Sequence, residues 1–360
     1  MKLPMPAFFS RKTAPMIGVD LSSSSVKVVE LSQGAKGEIR LERYAIEFLE
    51  RGAIADGSIE KPEVVAAALG RALKRSGSKA KEAALALPSA SVITKKIMLP
   101  GGLRDDEYEI QVESEASQYI PFPIEEVNLD FQVLGPSANS PDEVDVLLAA
   151  SRKEKVEDRV AIAEMAGLKA IVMDVEPYVV RTVLDYVSSY MPNQGQGQII
   201  AVVSIGQTVT SVTISLNGLT VFERDQMFGG GQLTQDIVRL YGLTYEEAEL
   251  KKRSAELPDS YQSDLLVPFV DQAAADVGRA LQFFFTSTPY TRVDKIILAG
   301  GSSILPGLAE AVGLKTQVAC EVVNPFQGME FGETVRERQV RLDGPALLIA
   351  SGLAMRRFDA

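Results

Sequence analysis

Apolar positions in this chain form two β-type blocks separated by a stretch of mixed pattern. The first block opens with Met16-Ile-Gly-Val-Asp-Leu-Ser22, turns through serines and resumes at Val26-Lys-Val-Val-Glu30. A third run, Ile39-Arg-Leu-Glu-Arg-Tyr-Ala-Ile46, alternates as a half-buried strand does. The second block starts at Gln198-Ile-Ile-Ala-Val-Val-Ser-Ile-Gly206, an almost unbroken apolar run that predicts a fully buried strand. Gln207-Thr-Val-Thr-Ser-Val-Thr-Ile-Ser215 follows, and Asn217-Gly218 joins it to Leu219-Thr-Val-Phe-Glu-Arg224. Asn-Gly between β-rich runs is a hairpin signal. Helical stretches follow both blocks, Lys61 to Ser76 and Gly231 to Tyr241. The same strand–strand–strand–helix plan therefore occurs twice, which predicts an α/β protein of two facing lobes.

The intervening residues read differently. Strands are predicted over Ala83 to Pro88, Ser91 to Pro100, Asn128 to Leu134 and Glu143 to Ala150, with helices over Asp105 to Tyr119 and Lys153 to Ala166. Most of this material forms a small inserted α+β subdomain. Another helix starts at Val175-Glu-Pro, with Pro177 in its first turn. The Gly-rich Met191 to Gln198 connects to the second lobe. Leu233 to Thr286 is mostly helical, a strand Lys295 to Ala299 runs into Gly300-Gly-Ser-Ser, and an apolar helix spans Pro345 to Phe358. The expected division is 16–88 with 171–195 for the first lobe, 89–170 for the insertion and 196–344 for the second lobe, with 345–360 packing back on the first. Residues 1–15 are read as a flexible end; Pro4 and Pro6 interrupt their only apolar stretch, unlike a secretory signal.

Composition narrows the chemistry. A net charge of −11 argues against a nucleic-acid partner held through phosphates. The absence of histidine removes His-based acid–base catalysis, His-containing serine triads and most zinc sites. The single cysteine, Cys320, excludes an intrachain disulfide, suits a reducing compartment and reads as a small buried hydrophobe. No apolar run reaches bilayer length, and a cytoplasmic protein is expected. The carboxylates from Asp105 to Glu115 read as a solvated helix face rather than a metal site.

The turn Ser22-Ser-Ser-Ser25 is the most informative segment. Small side chains let backbone N–H groups approach an anion, Asp20 precedes the turn where a carboxylate can hold the water shell of Mg²⁺, and Lys27 returns positive charge. A strand follows, not a helix, so this is no Walker-type loop. Alone, the segment is equally an ordinary hairpin. Two further glycine turns, at Gly206 and Gly300-Gly301, also follow apolar strands directly.

The order and content of these three turns resemble the actin-like ATPase superfamily, which includes actin, chaperone ATPases, MreB and FtsA. Ile17-Gly-Val-Asp-Leu-Ser-Ser-Ser-Ser-Val-Lys27, Glu115-Ala-Ser-Gln-Tyr-Ile-Pro-Phe-Pro123, Ala166-Gly-Leu168 and Tyr245-Glu-Glu-Ala-Glu249 resemble the PilM family within it, the actin-like component of type IV pilus machines. The resemblance implies a nucleotide cleft between the lobes that binds ATP with Mg²⁺. It places Gly18, Asp20, Ser22, Ser23, Ser24, Ser25 and Lys27 in a first phosphate loop, with Asp20 toward the metal through water. Ser204, Gly206, Gln207 and Thr208 fall in a second phosphate loop, and Gly300, Gly301 and Ser302 in the adenosine motif. Gly229, Gly230 and Gly231 match glycines near the nucleotide, while Glu249 and Lys252 match a pair contacting sugar or base. Glu176 takes the place of an acid that orients attacking water. Ser204 departs from the pattern, since the superfamily normally has aspartate there; a serine lacks the charge that helps hold a metal's water. Binding without rapid hydrolysis is therefore expected.

The resemblance further implies binding of the N-terminal cytoplasmic peptide of a PilN-like inner-membrane protein, in a groove between first lobe and insertion. Ile93, Ile97 and the helix Glu107 to Tyr119 are candidates for its lining by location only, and packing in the insertion's core is the favoured reading of their apolar residues. Membrane association is expected to be indirect, through that partner, and copies of the chain are expected to associate. Two competing readings are an FtsA-like division filament and an active ATPase or sugar kinase. No loop offers the kinase's catalytic aspartate, and the chain ends at Arg356-Arg-Phe-Asp-Ala360 without FtsA's amphipathic membrane helix.

Overall fold

The computed structural model describes residues 15–34, 37–137 and 140–359, so nearly all of the expected flexible end lies outside the described residues. Strands β1 (Met16–Ser22), β2 (Ser25–Gln33) and β3 (Ile39–Phe48) form an antiparallel meander. The short pair β4 (Ile54–Ala55) and β5 (Ser58–Ile59) leads into helix α1 (Pro62–Ser76), and β6 (Glu82–Leu87) runs parallel to β1. The insertion contains β7 (Ile93–Pro100), α2 (Asp105–Ala116), β8 (Val127–Ser137) and β9 (Ser140–Arg152), with β9 central in a three-stranded sheet. Helix α3 (Lys153–Met165) returns the chain to β10 (Lys169–Val175), parallel to β6, and α4 (Glu176–Ser188) follows.

The second half repeats the plan. Strands β11 (Ile199–Ile205), β12 (Thr210–Leu216) and β13 (Leu219–Gln226) form another meander, followed by α5 (Gly230–Tyr241), α6 (Tyr245–Ser254) and α7 (Val267–Ser287). Strand β14 (Lys295–Ala299), helix α8 (Leu308–Thr316) and β15 (Ala319–Val322) add two parallel strands beside β11. The chain closes through β16 (Glu330–Phe331), α9 (Glu337–Asp343) and α10 (Leu348–Met355). The sheet orders are β10-β6-β1-β2-β3-β16 and β13-β12-β11-β14-β15. In each, the first strand of the meander has antiparallel neighbours on one side and parallel strands on the other. The Asn217-Gly218 turn has φ of 52° and 74°, the left-handed pair that matches strand twist in a two-residue hairpin.

Alternation along each strand fixes five layers. Ile17, Val19 and Val28 meet α1 and α3 on the outer face of the first sheet. Ala201, Val203, Val212 and Ile214 meet α5, α7 and α8 on the outer face of the second. Between the sheets, Val180, Val183 and Leu184 of α4 and Leu348, Ala350 and Ala354 of α10 pack with Val29 and Leu31 on one side and Ile200, Val202 and Ile297 on the other. At about 1.5–3 kcal/mol for each large apolar side chain removed from water, this shared core holds the lobes to a common pair of helices.

Two boundaries differ from those expected. Ile162 and Ala163 of α3 pack with Leu69 and Leu85, and β10 begins at Lys169, so α3 belongs with the first lobe's core and the strand crosses the expected limit at 170. The return to the first lobe also starts before 345, because β16 pairs with β3 at Arg40 and Leu41. A short edge strand of two residues carries too little periodicity to be read in advance.

Candidate functional site

Asp20 and Lys27 face each other in the β1–β2 register, on the sheet face turned toward α4 and α10. Lys27 Nζ donates to Asp20 Oδ2 at 2.8 Å and to Ser22 Oγ at 2.7 Å, and both charged residues are buried. Ser22 Oγ donates in turn to the Ser25 carbonyl at 3.0 Å. Ser23 and Ser24 form the tip of the turn. Gly18 serves a different need: a Cβ there would lie 2.1 Å from the Ala350 carbonyl oxygen, so the glycine lets α10 press onto β1.

The second-lobe turns are bound to one another. Gly230 N–H donates to the Gly206 carbonyl at 2.9 Å and Gly231 N–H to the Gln207 carbonyl at 2.8 Å. Ser302 N–H reaches the Ile205 carbonyl at 3.2 Å, and Ser302 Oγ reaches that of Gly206 at 3.3 Å. A Cβ on Gly229 or Gly300 would lie 2.5 Å from a carbonyl oxygen, and Gly300 also has φ of +84°, so these turns close only with glycine. Gly301 differs, because its Cβ position has no atom within 4 Å and faces open space. Ser204 is the penultimate residue of β11, half-buried, opposite Ser211 and beside Ala299.

Glu249 and Lys252 sit one turn apart on α6, with Lys252 Nζ 2.6 Å from Glu249 Oε1 and 2.5 Å from Thr234 Oγ1. Thr234 donates to the same Glu249 oxygen, and Arg253 reaches Glu249 Oε2 at 2.8 Å. Burial works against the carboxylate, but Lys252, Thr234 and Arg253 outweigh it and hold Glu249 below its usual range.

Glu176 stands at the start of α4, where the helix faces both sheets. Burial, then the Asp20 carboxylate, pushes its pKa up to about 7; Arg159 opposes the rise and Asp225 adds to it. Asp225 belongs to the cross-strand row Ser204–Ser211–Asp225 of the second sheet, so Glu176 senses a carboxylate from each lobe.

Four functional neighbours escaped the sequence reading. Arg159, 2 % exposed, donates to the carbonyls of Ala86 at 3.0 Å, Gly57 at 3.1 Å and Lys155 at 3.3 Å. Burial holds its guanidinium below the usual range, countered first by Glu176. Thr234, Asp225 and Tyr245, whose hydroxyl accepts from Gln207 Nε2 at 2.5 Å, complete the set. Each comes to these turns through tertiary packing; Tyr245 alone lies in a segment the sequence marked, Tyr245-Glu-Glu-Ala-Glu249, and no local pattern marks the other three. Ile97 takes the core-packing alternative: it is buried with Leu99, Tyr108 and Val112 in the insertion's core.

The donor set fits a magnesium nucleotide. Among the described residues, the N–H groups of Ser23, Ser24, Gln207, Thr208 and Gly301 donate to no protein acceptor, and all lie in the three turns. Ser23, Ser24 and Gln207 are half-buried and Thr208 and Gly301 exposed, and backbone N–H groups of such turns can receive an anion. Among the described residues no three carboxylate or thiol groups form a metal cage. Magnesium does not need one, since it keeps several waters and uses one or two carboxylates with phosphate oxygens.

Two mixed sheets of one repeated topology, closed around α4 and α10 with small-residue turns at their shared mouth, constitute the actin-like ATPase fold. Residues 18–358 match the family described as Type IV pilus assembly protein PilM, and the chain belongs to that family. It is similar to a solved PilM–PilN type IV pilus biogenesis complex, with a TM-score of 0.79 and 28% identity over 95% of this chain and 98% of that one. The ethanolamine utilization protein EutJ from Carboxydothermus hydrogenoformans shares the fold at a TM-score of 0.56 and 16% identity, covering 98% of this chain and 90% of EutJ. So does a diol dehydratase-reactivating factor in nucleotide-free form, at 0.55 and 9% over 97% of this chain and 100% of that chain. No helix among the described residues is long and apolar enough to cross a membrane.

Proposed function

We propose that this protein is a cytoplasmic, ATP-binding member of the inner-membrane pilus assembly complex that binds the N-terminal peptide of a PilN-like protein and couples nucleotide state to pilus biogenesis. The observation that carries the ATP reading is the set of acceptor-free N–H groups in the three turns, with Asp20 and Lys27 beside the first. MgATP would supply the phosphate acceptors and the metal that these groups match. Ser23, Ser24, Gln207 and Thr208 would hold phosphate through backbone N–H groups, while Asp20 would orient water on the metal. Glu249 and Lys252 would face the sugar or base, against the wall of Gly300, Gly301 and Ser302.

Hydrolysis is slow in this reading. Ser204 brings no charge to the metal's water, where the superfamily has an aspartate. Family membership and the similarity to the PilM–PilN complex support the PilN-like partner. Exposed Ile110, Tyr119 and Phe122 on the insertion supply apolar surface for it. Attachment to the membrane would be peripheral, through that partner.

The test uses Gly301→Val. Nothing lies within 4 Å of its Cβ position, so the substitution leaves the protein's own packing alone and intrudes only on a ligand. Calorimetric titration should show MgATP binding to the wild type and at least about tenfold weaker binding to Gly301→Val. Equal affinities would remove the nucleotide from this cleft. Rapid Mg²⁺-dependent phosphate release, abolished by Glu176→Gln, would overturn slow hydrolysis. Binding of a labelled PilN-like N-terminal peptide, measured by anisotropy with and without ATP, tests the partner and its coupling.

A further inference from the structure

The segment that follows β3 crosses the mouth of the cleft. Phe48 pairs across the sheet with Ser25, and Leu49 N–H donates to the Ser24 carbonyl at 2.9 Å, so this segment is anchored to the serine turn. From there two side chains reach the second lobe. The Phe48 ring lies beneath the Arg253 guanidinium, 3.4 Å from ring centroid to Cζ. Arg51 sits over the Tyr245 ring at 5.0 Å and donates to Gln235 Oε1 at 3.3 Å. Both second-lobe contacts end on site residues: Arg253 is bonded to Glu249, and the Tyr245 hydroxyl accepts from Gln207.

We propose that Phe48 and Arg51 are positioning residues that latch the first lobe to α5 and α6 and set how fast nucleotide leaves the cleft. The inference rests on the ATP reading above and deepens it. One side of the latch hangs from the Ser24 carbonyl, next to the Ser23 and Ser24 N–H groups that would hold phosphate. The other side rests on the residues that would touch sugar and phosphate. A ligand bridging the serine turn and the Gln207 turn would favour the lobe spacing in which these contacts form. The contacts would in turn hold the ligand, as thermodynamic linkage requires. Phe48 is 50 % exposed, more than an aromatic needs to be if its role were packing, and its ring is covered by a cation from the opposite lobe.

The experiment is stopped-flow release of the fluorescent analogue mant-ATP with Mg²⁺, chased with ATP, from wild type, Phe48→Ala/Arg51→Ala and Phe48→Tyr/Arg51→Lys. Thermal midpoints and small-angle scattering are recorded alongside. Loss of two partly exposed cation–π contacts should speed release about tenfold in the alanine pair. The conservative pair, which keeps ring and cation, should stay within about twofold of wild type. Scattering should show a wider alanine variant with an unchanged thermal midpoint. Wild-type binding with alanine-variant release at the wild-type rate would overturn the latch and leave the ATP reading standing. Failure of the wild type to bind mant-ATP would overturn both.

Discussion

Asp20 and Lys27 form their ion pair because β-register alone sets them opposite one another, two residues either side of the serine turn's ends. Each is therefore held in place before any ligand arrives. Glu176 completes the charged group from the start of α4, and its environment makes a measurable statement. Its folded pKa of about 7 lies above the ordinary 4.5. Between those values the folded protein holds a proton that the unfolded chain has lost, so this group's contribution to stability is undiminished below about pH 4.5 and falls as pH rises toward 7. Glu176→Gln removes the dependence. In urea titrations the variant should match wild type at about pH 4 and exceed it by about 1–3 kcal/mol at about pH 8. A difference unchanged across that range would show that the carboxyl is not held protonated.

At the scale of elements, α10 decides how the cleft is built. It packs on β1 over Gly18, and it follows Pro345, whose carbonyl accepts from Gly300 N–H at 2.8 Å. Arg356, just past the helix, donates to Asp174 Oδ2 at 2.5 Å, and Asp174 is buried. Gly18→Ala would drive a methyl into the α10 backbone, which cannot yield as a flexible side chain would. Chemical denaturation should show a loss of about 3 kcal/mol or more. Arg356→Ala, which leaves a buried carboxylate without its cation, should cost about 2 kcal/mol. Gly301→Ala, facing open space, should cost little by comparison. Equal losses at Gly18 and Gly301 would contradict this account of α10.

For the whole molecule, a single core around α4 and α10 joins the two sheets, while the cleft mouth is bridged by side chains that can separate. The shared core therefore joins the lobes independently of the contacts at the mouth. A ligand bound across both lobes adds its own free energy to the folded state. MgATP at a hundredfold its dissociation constant should raise unfolding stability by about 2.7 kcal/mol, seen as a higher thermal midpoint. Gly301→Val should show a much smaller rise at the same concentration. An equal rise in both proteins would place the nucleotide elsewhere.

The sequence by itself determined the repeated meander, because alternation and the Asn217-Gly218 turn are local signals that survive without tertiary context. It also marked the three turns, since glycine and serine at strand ends report backbone demands directly. It could not show why each glycine is there. Gly18 answers to α10, more than three hundred residues away, and Gly300 to the carbonyl of Ile205. Nor could it find Arg159, Asp225 or the Phe48–Arg253 contact, whose partners come from separate elements with no shared spacing. Tertiary structure alone decided which turns meet and where α3 and β16 belong. Local preferences act over a few residues, whereas the site is assembled by packing across two sheets.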